Sequence, residues 1–143
     1  MKINDVIKGK SSSKVITITP EATVRDLLAL LAEHNIGAVV VSGDGTSVDG
    51  IVSERDVVRK LNGNDAILDA TVEAIMTAVV ATCEGGQDVD ELMVEMTERR
   101  IRHVPVVEDG NLVAVISIGD VVKSRIGQLE FERDQLDNYV HQT

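Results

Sequence analysis

Two short segments of the chain carry residue types that could hold a nucleoside phosphate. Ser53-Glu54-Arg55-Asp56 directly follows an apolar run that ends at Val52, as a strand leading into a helix would. The first N–H groups of a helix lack intrahelical partners, so they favour an anionic phosphate. The Ser53 hydroxyl could donate to that phosphate, and the Arg55 guanidinium could pair with it. Asp56 could accept both hydroxyls of a ribose, as an acidic residue does in dinucleotide-binding folds.

The second segment, Ser117-Ile118-Gly119-Asp120, repeats the Ser-x-x-Asp pattern after another apolar run. This pattern also has a simpler structural explanation, because Ser-x-x-Asp ahead of an apolar helix is close to a capping box. Taken alone, the motif favours capping over ligand binding. The two interpretations are compatible, since Ser53 can cap its helix when no ligand is bound.

The chain contains an internal repeat. When the sequence is shifted against itself by about 65 positions, similar residue types fall into register. Residues 15–17 match 80–82, 24–36 match 89–101, 36–41 match 101–106, and 50–58 match 114–122 once one loop residue is dropped. The second Ser-x-x-Asp is therefore the counterpart of the first.

Each copy has the pattern of strand, helix, strand, strand, helix, which predicts a mixed α/β (α+β) fold. The first copy should have strands at 15–19, 36–41 and 48–52, with a helix after Pro20, and the return strand of the second should be 112–116. Residues 42–45 and 108–111 have turn chemistry, so each should close a hairpin. We place module 1 at 1–62, a linker at 63–71, module 2 at 72–127 and a C-terminal helix extension at 128–143.

The final predicted helix, from about residue 118 to 141, is longer than its counterpart in the first copy. Its apolar residues recur at helical spacing, with charged residues elsewhere, which is typical of an amphipathic helix. They are Val122, Ile126, Leu129, Leu136 and Val140. The stripe could pack back onto its own module or form a helix–helix seam between two chains. We predict a homodimer to which this helix contributes.

Composition narrows the possible functions. Of the 143 residues, 43% are hydrophobic and 1% are aromatic, so the core must be aliphatic. The net charge of −10 repels nucleic-acid backbones, and the chain offers no aromatic platform for bases, so nucleic-acid binding is not expected. Cys83 is the only cysteine, which excludes an internal disulfide. No signal-peptide region and no membrane-spanning run is visible, so we expect a cytoplasmic protein.

Enzyme motifs find little support in the sequence. The histidines His34, His103 and His141 lack metal-ligand spacing. There is no nucleophile elbow, and Gly9-Lys10-Ser11 lacks the glycine-rich lead of a P-loop. Cys83 lies beside Glu84, whose carboxylate would raise the pKa of the thiol, so a reactive thiolate is not expected. We predict that the protein is not an enzyme and that it has no metal or catalytic cofactor.

The repeated motifs carry a family resemblance. The first copy has Gly-Ile-Val-Ser-Glu-Arg-Asp, and the second has Arg-Ile-Arg-His-Val-Pro-Val-Val followed by Val-Ile-Ser-Ile-Gly-Asp-Val-Val. With their order and spacing, these resemble the CBS (cystathionine-β-synthase) module over roughly residues 3 to 126. The resemblance implies two β-α-β-β-α modules packed as a pseudo-twofold pair, called a Bateman module, with two clefts between their sheets. It also implies adenine ligands such as AMP, ADP, ATP, NAD or S-adenosylmethionine, and regulation through a partner protein or assembly.

The resemblance also assigns residues to the clefts and gives Asp56, and by the repeat Asp120, a ribose-binding role. Expected in the first cleft are Lys14, Ile36, Gly37, Ala38, Val39, Ile51, Ser53, Arg55 and Asp56. Expected in the second are Val79, Ile101, Arg102, His103, Val104, Pro105, Ile116, Ser117, Gly119 and Asp120. Arg102 and His103 could contact phosphates, whereas the matching Gly37 and Ala38 carry no charge, so the two clefts would not be equivalent.

Alternatives remain open for these assignments. Arg99, Arg100 and Arg102 could form only a solvated basic cluster. The serine-rich lead at 8–14, which contains three lysines, could be a mobile linker instead of cleft lining. At the level of function, the chain could be a structural interaction module whose clefts bind nothing, or a subunit of a separately encoded enzyme.

Overall fold

The two copies of the repeat fold into two small sheets flanked by helices. The computed structural model describes residues 1–10, 15–78 and 80–141. Its helices are α1 (Ile3–Lys8), α2 (Val24–His34), α3 (Glu54–Leu61), α4 (Val89–Arg99) and α5 (Ile118–Val140), and its strands are β1 (Thr17–Ile18), β2 (Ala38–Val41), β3 (Gly50–Ser53), β4 (His103–Glu108) and β5 (Asn111–Ser117). Two 3-10 turns, Asp65–Asp69 and Val72–Ala74, join the copies. The predicted mixed fold is confirmed.

The strand registers show that the copies are structurally equivalent. Ala38 pairs with Ser53 in the first sheet, and their counterparts His103 and Ser117 pair in the second. Ile18 pairs in parallel with Val41, as Cys83 does with Val106. The prediction that Ser53 and Ser117 occupy equivalent positions is therefore confirmed.

The first strand of each copy is shorter than predicted. In the first copy only Thr17–Ile18 is a strand, and in the second a single bridge at Cys83 replaces it. Cys83 N–H donates to the Pro105 carbonyl at 3.0 Å, and the Cys83 carbonyl accepts from Val107 N–H at 2.8 Å. The next ladder bond would need an N–H from Pro105, which proline lacks. The proline therefore ends the pairing.

The segment before the first strand of each copy, which we call its lead (residues 1–10 in the first copy and 72–76 in the second), packs on the other copy. Ile3 N–H donates to the Gln87 carbonyl at 3.0 Å, and the side chain of Ile3 is buried in the core of the second copy. Val72 N–H donates to the Ala22 carbonyl at 2.7 Å, and Val72 is buried in the core of the first copy. We call this arrangement the lead exchange. The expected module boundaries, 1–62 and 72–127, therefore do not coincide with the boundaries of the two cores.

The expected linker, 63–71, is docked on the first copy. Ile67 and Leu68 pack against its core, and Arg25 Nε lies 2.9 Å from Asp69 Oδ1. The chain then runs along the edge of β3, where Ile51 and Thr77 exchange backbone hydrogen bonds of 3.0 and 2.9 Å. A Cβ atom at Gly50 would lie 2.8 Å from the Thr77 carbonyl oxygen, so only glycine allows this close approach. After the linker, the chain therefore reaches the junction between the copies at Thr77.

The two hairpins close differently. In the second copy, Asp109 and Gly110 both have positive φ, 51° and 81°, as a two-residue turn of type I′ requires. In the first copy the longer loop is organised by Asp44, whose carboxylate accepts the N–H groups of Thr46 and Ser47 at 2.9 and 2.8 Å. These bonds hold the pKa of Asp44 far below its usual value. The extra loop residue inferred from the repeat lies here.

The last helix, α5, leaves the body of the protein. Val121 is its buried residue, and Ile118 packs against the second core. Beyond that first turn the predicted apolar stripe is exposed, with Ile126 at 52%, Leu129 at 49% and Leu136 at 65%. The interpretation that the stripe packs back onto its own module is therefore wrong for these residues. Phe131 and Tyr139, the only two aromatic residues of the chain, are also exposed on this helix.

Candidate ligand-binding clefts

Two cavities lie at the junction between the copies, and each is lined by residues from both. The Asp120 cleft, of about 410 Å³, is bordered by Ile7, Lys10, Val15, Ile16, Asn35, Ile36, Gly37, Ala38, His103, Ala114, Val115, Ser117 and Asp120. The Asp56 cleft, of about 630 Å³, is bordered by Gly37, Ala38, Ile51, Val52, Ser53, Glu54, Arg55, Asp56, Val58, Arg59, Thr77, Val80, Ala81, Arg100, Ile101, Arg102 and His103. Both volumes fall within the range typical of small-molecule sites.

The expected grouping of residues into clefts is wrong. Ile36 lies with Ser117 and Asp120, not with Ser53 and Asp56. Conversely, Ile101 and Arg102 lie with Ser53 and Asp56. The reason is the packing of the two copies, which sets the start of the second strand of one copy opposite the helix start of the other. Gly37, Ala38 and His103 lie at the centre and border both clefts.

Several expected site residues line neither cleft. Val39, Val104, Pro105 and Ile116 are buried in their sheets, and Gly119 is exposed in the first turn of α5. Lys14 and Val79 lie outside the described residues. Ile51, Ser53, Arg55 and Asp56 do border one cleft together, as expected.

Sequence reasoning missed residues contributed by the lead exchange and the linker. Ile7 and Lys10, from the first lead, enter the Asp120 cleft, and Thr77 and Val80 enter the Asp56 cleft. The one indication in the sequence that Lys10 could line a cleft was its position in the basic lead. The repeat could not show that this lead lies against the second copy.

The helix starts are capped as the sequence predicted. Ser53 Oγ accepts from Asp56 N–H at 3.4 Å, and Asp56 Oδ2 accepts from Ser53 N–H at 2.9 Å. Ser117 and Asp120 form the same reciprocal pair, at 3.1 and 2.9 Å. In both aspartates Oδ1 accepts no hydrogen bond from the described residues. Each carboxylate can therefore cap its helix with one oxygen and offer the other to a ligand.

Lys10 distinguishes the Asp120 cleft from its counterpart. Its Nζ lies 2.9 Å from Asp120 Oδ2 and donates to the Val115 carbonyl at 2.7 Å. Burial opposes the charge of Asp120, but the Ser117 N–H and Lys10 outweigh it and hold the pKa of Asp120 below its usual value. At the matching edge of the first sheet, the Ile51 carbonyl accepts the backbone N–H of Thr77 instead.

His103 lies between the clefts and is half-buried. Burial lowers the pKa of His103, while nearby Asp120 raises it and Lys10 and Arg102 lower it further. Because the net shift is downward, the imidazole is neutral near pH 7 and can donate and accept hydrogen bonds at once.

Two other features of the described residues concern reactivity and metal binding. Cys83 is buried, and this burial, reinforced by Glu95 instead of the expected Glu84, raises the pKa of its thiol to about 12. The described residues hold no cluster of three or more His, Cys, Asp or Glu residues suited to a metal ion. Nor do they include a helix with the length and apolar character needed to cross a membrane.

Comparison with known proteins shows which family has this architecture. The family model described as the CBS domain matches residues 3–63 and 72–127. The chain is 34% identical to CBS domain-containing protein CBSX3, mitochondrial, from Arabidopsis thaliana, over 96% of this chain and 71% of that protein. Its fold is similar to that of the CBS-domain containing protein ATU1752 from Agrobacterium tumefaciens, with a TM-score of 0.82, 41% identity, and coverage of 87% of this chain and 99% of the other.

A third structure is that of the CBS domain pair of protein MJ0100 in complex with 5′-methylthioadenosine and S-adenosyl-L-methionine. It matches with a TM-score of 0.76 and 25% identity, over 90% of this chain and 98% of that one. The two family matches cover both copies of the repeat, and the structural matches cover their packing. The chain therefore belongs to the CBS domain family, as a tandem pair.

Proposed function

We propose that the chain is a regulatory module that binds adenine nucleotides, such as AMP, ADP, ATP or NAD, in its two clefts and is not itself an enzyme. The observation that carries the proposal is the construction of the clefts. Each joins a capped aspartate, whose Oδ1 accepts no hydrogen bond from the described residues, to apolar residues of the other copy. The carboxylate oxygen can accept the hydroxyl groups of a ribose, and the apolar residues can cover the faces of an adenine ring.

The Asp120 cleft illustrates the fit. Ile16, Ile36 and Ala38 provide aliphatic surface for an adenine face, and Asp120, from the other copy, borders the same cleft. Burying apolar surface on both faces of a base is favourable without aromatic stacking. The related pair of protein MJ0100, in complex with two adenosine compounds, supports an adenosine-type ligand for this chain as well.

A ligand held by both copies would act on their relative placement. Residues from both copies border each cleft, so a ligand that binds one arrangement better shifts the equilibrium toward it. The response would be read by a partner protein or by assembly of the chain. The cytoplasmic location and the absence of nucleic-acid and membrane partners remain predictions.

We also propose that assembly is homodimeric and uses the exposed stripe of α5, defined by Val122, Ile126, Leu129, Leu136 and Val140. At the helical angle of about 100° per residue these side chains share one face, whereas Phe131 lies on the opposite face. A helix that exposes aliphatic residues along one face is stabilised when a second helix covers them. A second copy of the chain offers an identical stripe.

Binding can be tested by thermal unfolding of the full chain with AMP, ADP, ATP, NAD, NADH and S-adenosylmethionine. A ligand that binds the folded state at a concentration one hundred times its Kd stabilises it by about 2.7 kcal/mol, which raises the Tm. A rise with one or more of these compounds supports the proposal. No rise with any of them, at millimolar concentration, would leave only the structural role of the module.

A further inference from the structure

We propose that the two clefts select ligands of different charge: the Asp56 cleft takes a nucleoside polyphosphate, and the Asp120 cleft takes an adenosine derivative without a phosphate chain. This inference rests on the proposed function and narrows it, because it confines ligands with a phosphate chain to the Asp56 cleft. It comes from charges at structurally equivalent positions of the two copies.

The Asp56 cleft carries an excess of positive charge. Arg55, Arg59, Arg100 and Arg102 border it, against the carboxylates of Glu54 and Asp56, so two positive charges are left over. Within the described residues, none of these four arginines forms an ion pair. The chain as a whole has a net charge of −10, so this positive region stands out from the rest of the molecule. Such a region attracts anions and can bind phosphate oxygens in bidentate fashion.

The Asp120 cleft has no such excess among the described residues. Its cation Lys10 is paired with its anion Asp120 at 2.9 Å, and His103 is neutral. Much of the rest of its lining is aliphatic. Of the described residues, a phosphate chain there would meet one ammonium group already neutralised by a carboxylate, and none of them would replace the hydration that it loses.

The repeat shows that this difference arises at matched positions. Arg100 and Arg102 of the Asp56 cleft correspond to Asn35 and Gly37 of the Asp120 cleft. The backbone confirms the match: the Gly37 carbonyl accepts from Glu54 N–H at 3.0 Å, and the Arg102 carbonyl accepts from Ile118 N–H at 2.8 Å. Two equivalent places in one fold therefore present guanidinium groups to one cleft and uncharged groups to the other.

Arg100 also stands where arginine is conformationally unfavourable. It ends α4 with φ at 55°, and Asn35 ends α2 in the same left-handed conformation with φ at 51°. Asparagine adopts this conformation readily, whereas arginine does so at some cost in stability. Arg100 borders a cavity and keeps a backbone conformation that is unfavourable for arginine, which indicates a role for its side chain. The larger volume of the Asp56 cleft agrees with a longer ligand.

The test compares ATP with adenosine by calorimetric titration of the full chain. Arg100→Asn gives the Asp56 cleft the residue that stands at the matched position, and Arg99→Asn is the control, because Arg99 pairs with Glu95 and borders neither cleft. We expect Arg100→Asn to weaken ATP binding about tenfold, as loss of a charged hydrogen bond does, with adenosine unchanged. Arg99→Asn should change neither affinity.

Two further measurements assign each ligand to a cleft. They also distinguish a failure of the charge inference from a failure of the proposed function. Raising the salt concentration should weaken ATP binding and leave adenosine binding nearly constant. Asp120→Ala should weaken adenosine binding and spare ATP. The charge inference is overturned if Arg100→Asn leaves ATP affinity at the parent value, or if Asp120→Ala weakens both ligands equally; in either case the proposed function stands. If the parent binds neither compound nor any other adenine ligand, the proposed function itself fails.

Discussion

Replacing Asp56 by alanine separates the two roles of its carboxylate. Asp56 Oδ2 accepts the Ser53 N–H at 2.9 Å, so the substitution removes one of the two reciprocal capping bonds at the start of α3. The other bond, to Ser53 Oγ, uses the backbone of residue 56 and stays. We expect the free energy of unfolding without ligand to fall by about 1 kcal/mol, as for other helix caps.

The chain supplies a matched control in α2. Asp26 Oδ2 accepts the Thr23 N–H at 3.1 Å, and Thr23 Oγ1 accepts the Asp26 N–H at 3.1 Å, so the same capping box is present. Asp26 is exposed and borders neither cleft. Asp26→Ala should therefore lower the stability by a similar amount and leave ligand binding unchanged.

Asp56→Ala and Asp26→Ala should differ in their affinity for nucleotides. A carboxylate that accepts hydroxyls from a bound ribose contributes roughly 1.5–3 kcal/mol per bond, less the cost of removing it from water. Asp56→Ala should therefore weaken nucleotide binding about tenfold or more. Calorimetric titration with AMP and ATP, with urea unfolding curves beside it, measures both effects. If Asp56→Ala binds as Asp26→Ala does and loses only the same stability, the carboxylate is a helix cap and nothing more.

Two other outcomes follow from the structure. Ending the chain near Gly127, or replacing Leu129 by Glu, should convert a homodimer to monomers in sedimentation experiments. Phe131→Glu, on the opposite face of the helix, should leave the protein dimeric. If the protein remains dimeric after both the truncation and Leu129→Glu, the dimer interface lies elsewhere. Because the folded-state pKa of His103 lies below its unfolded value of about 6.5, the unfolded state binds more protons, and stability should fall as the pH drops from 6.5 toward the folded pKa. His103→Gln should abolish that part of the slope in urea unfolding curves recorded from pH 7.5 to 5; an unchanged slope would contradict the buried, neutral imidazole.

The sequence predicted the local features well, because their causes are local. The helix starts at Ser53 and Ser117 follow from capping chemistry, and the turn at Asp109 and Gly110 follows from residues that tolerate positive φ. The repeat then supplied the order of elements and the equivalence of the copies. Pro105 was the one available signal for the shortened first strand of the second copy, since its missing N–H could have been read from the sequence.

The membership of the clefts could not be predicted in the same way. It depends on which strand of one copy faces which helix of the other, and two sequences related by a repeat carry no information on that choice. The pairing of Lys10 with Asp120, residues far apart in the chain, depends in turn on the lead exchange. Packing between the copies also explains why Ile36 and Asp56, which belong to the same copy, border different cavities.

The lead exchange bears on how such a chain can be divided or assembled. A fragment that ended before the 3-10 turn Val72–Ala74 would lose Val72 and Ile75 from its core, and the second copy alone would lack Ile3 and Val6. Neither half is therefore a self-sufficient unit, and the full chain should unfold in one cooperative transition. A chain with a single copy could close its core only by borrowing the lead of a second chain, as a domain-swapped dimer. Joining two copies in one chain makes that exchange intramolecular, so the fold no longer depends on protein concentration.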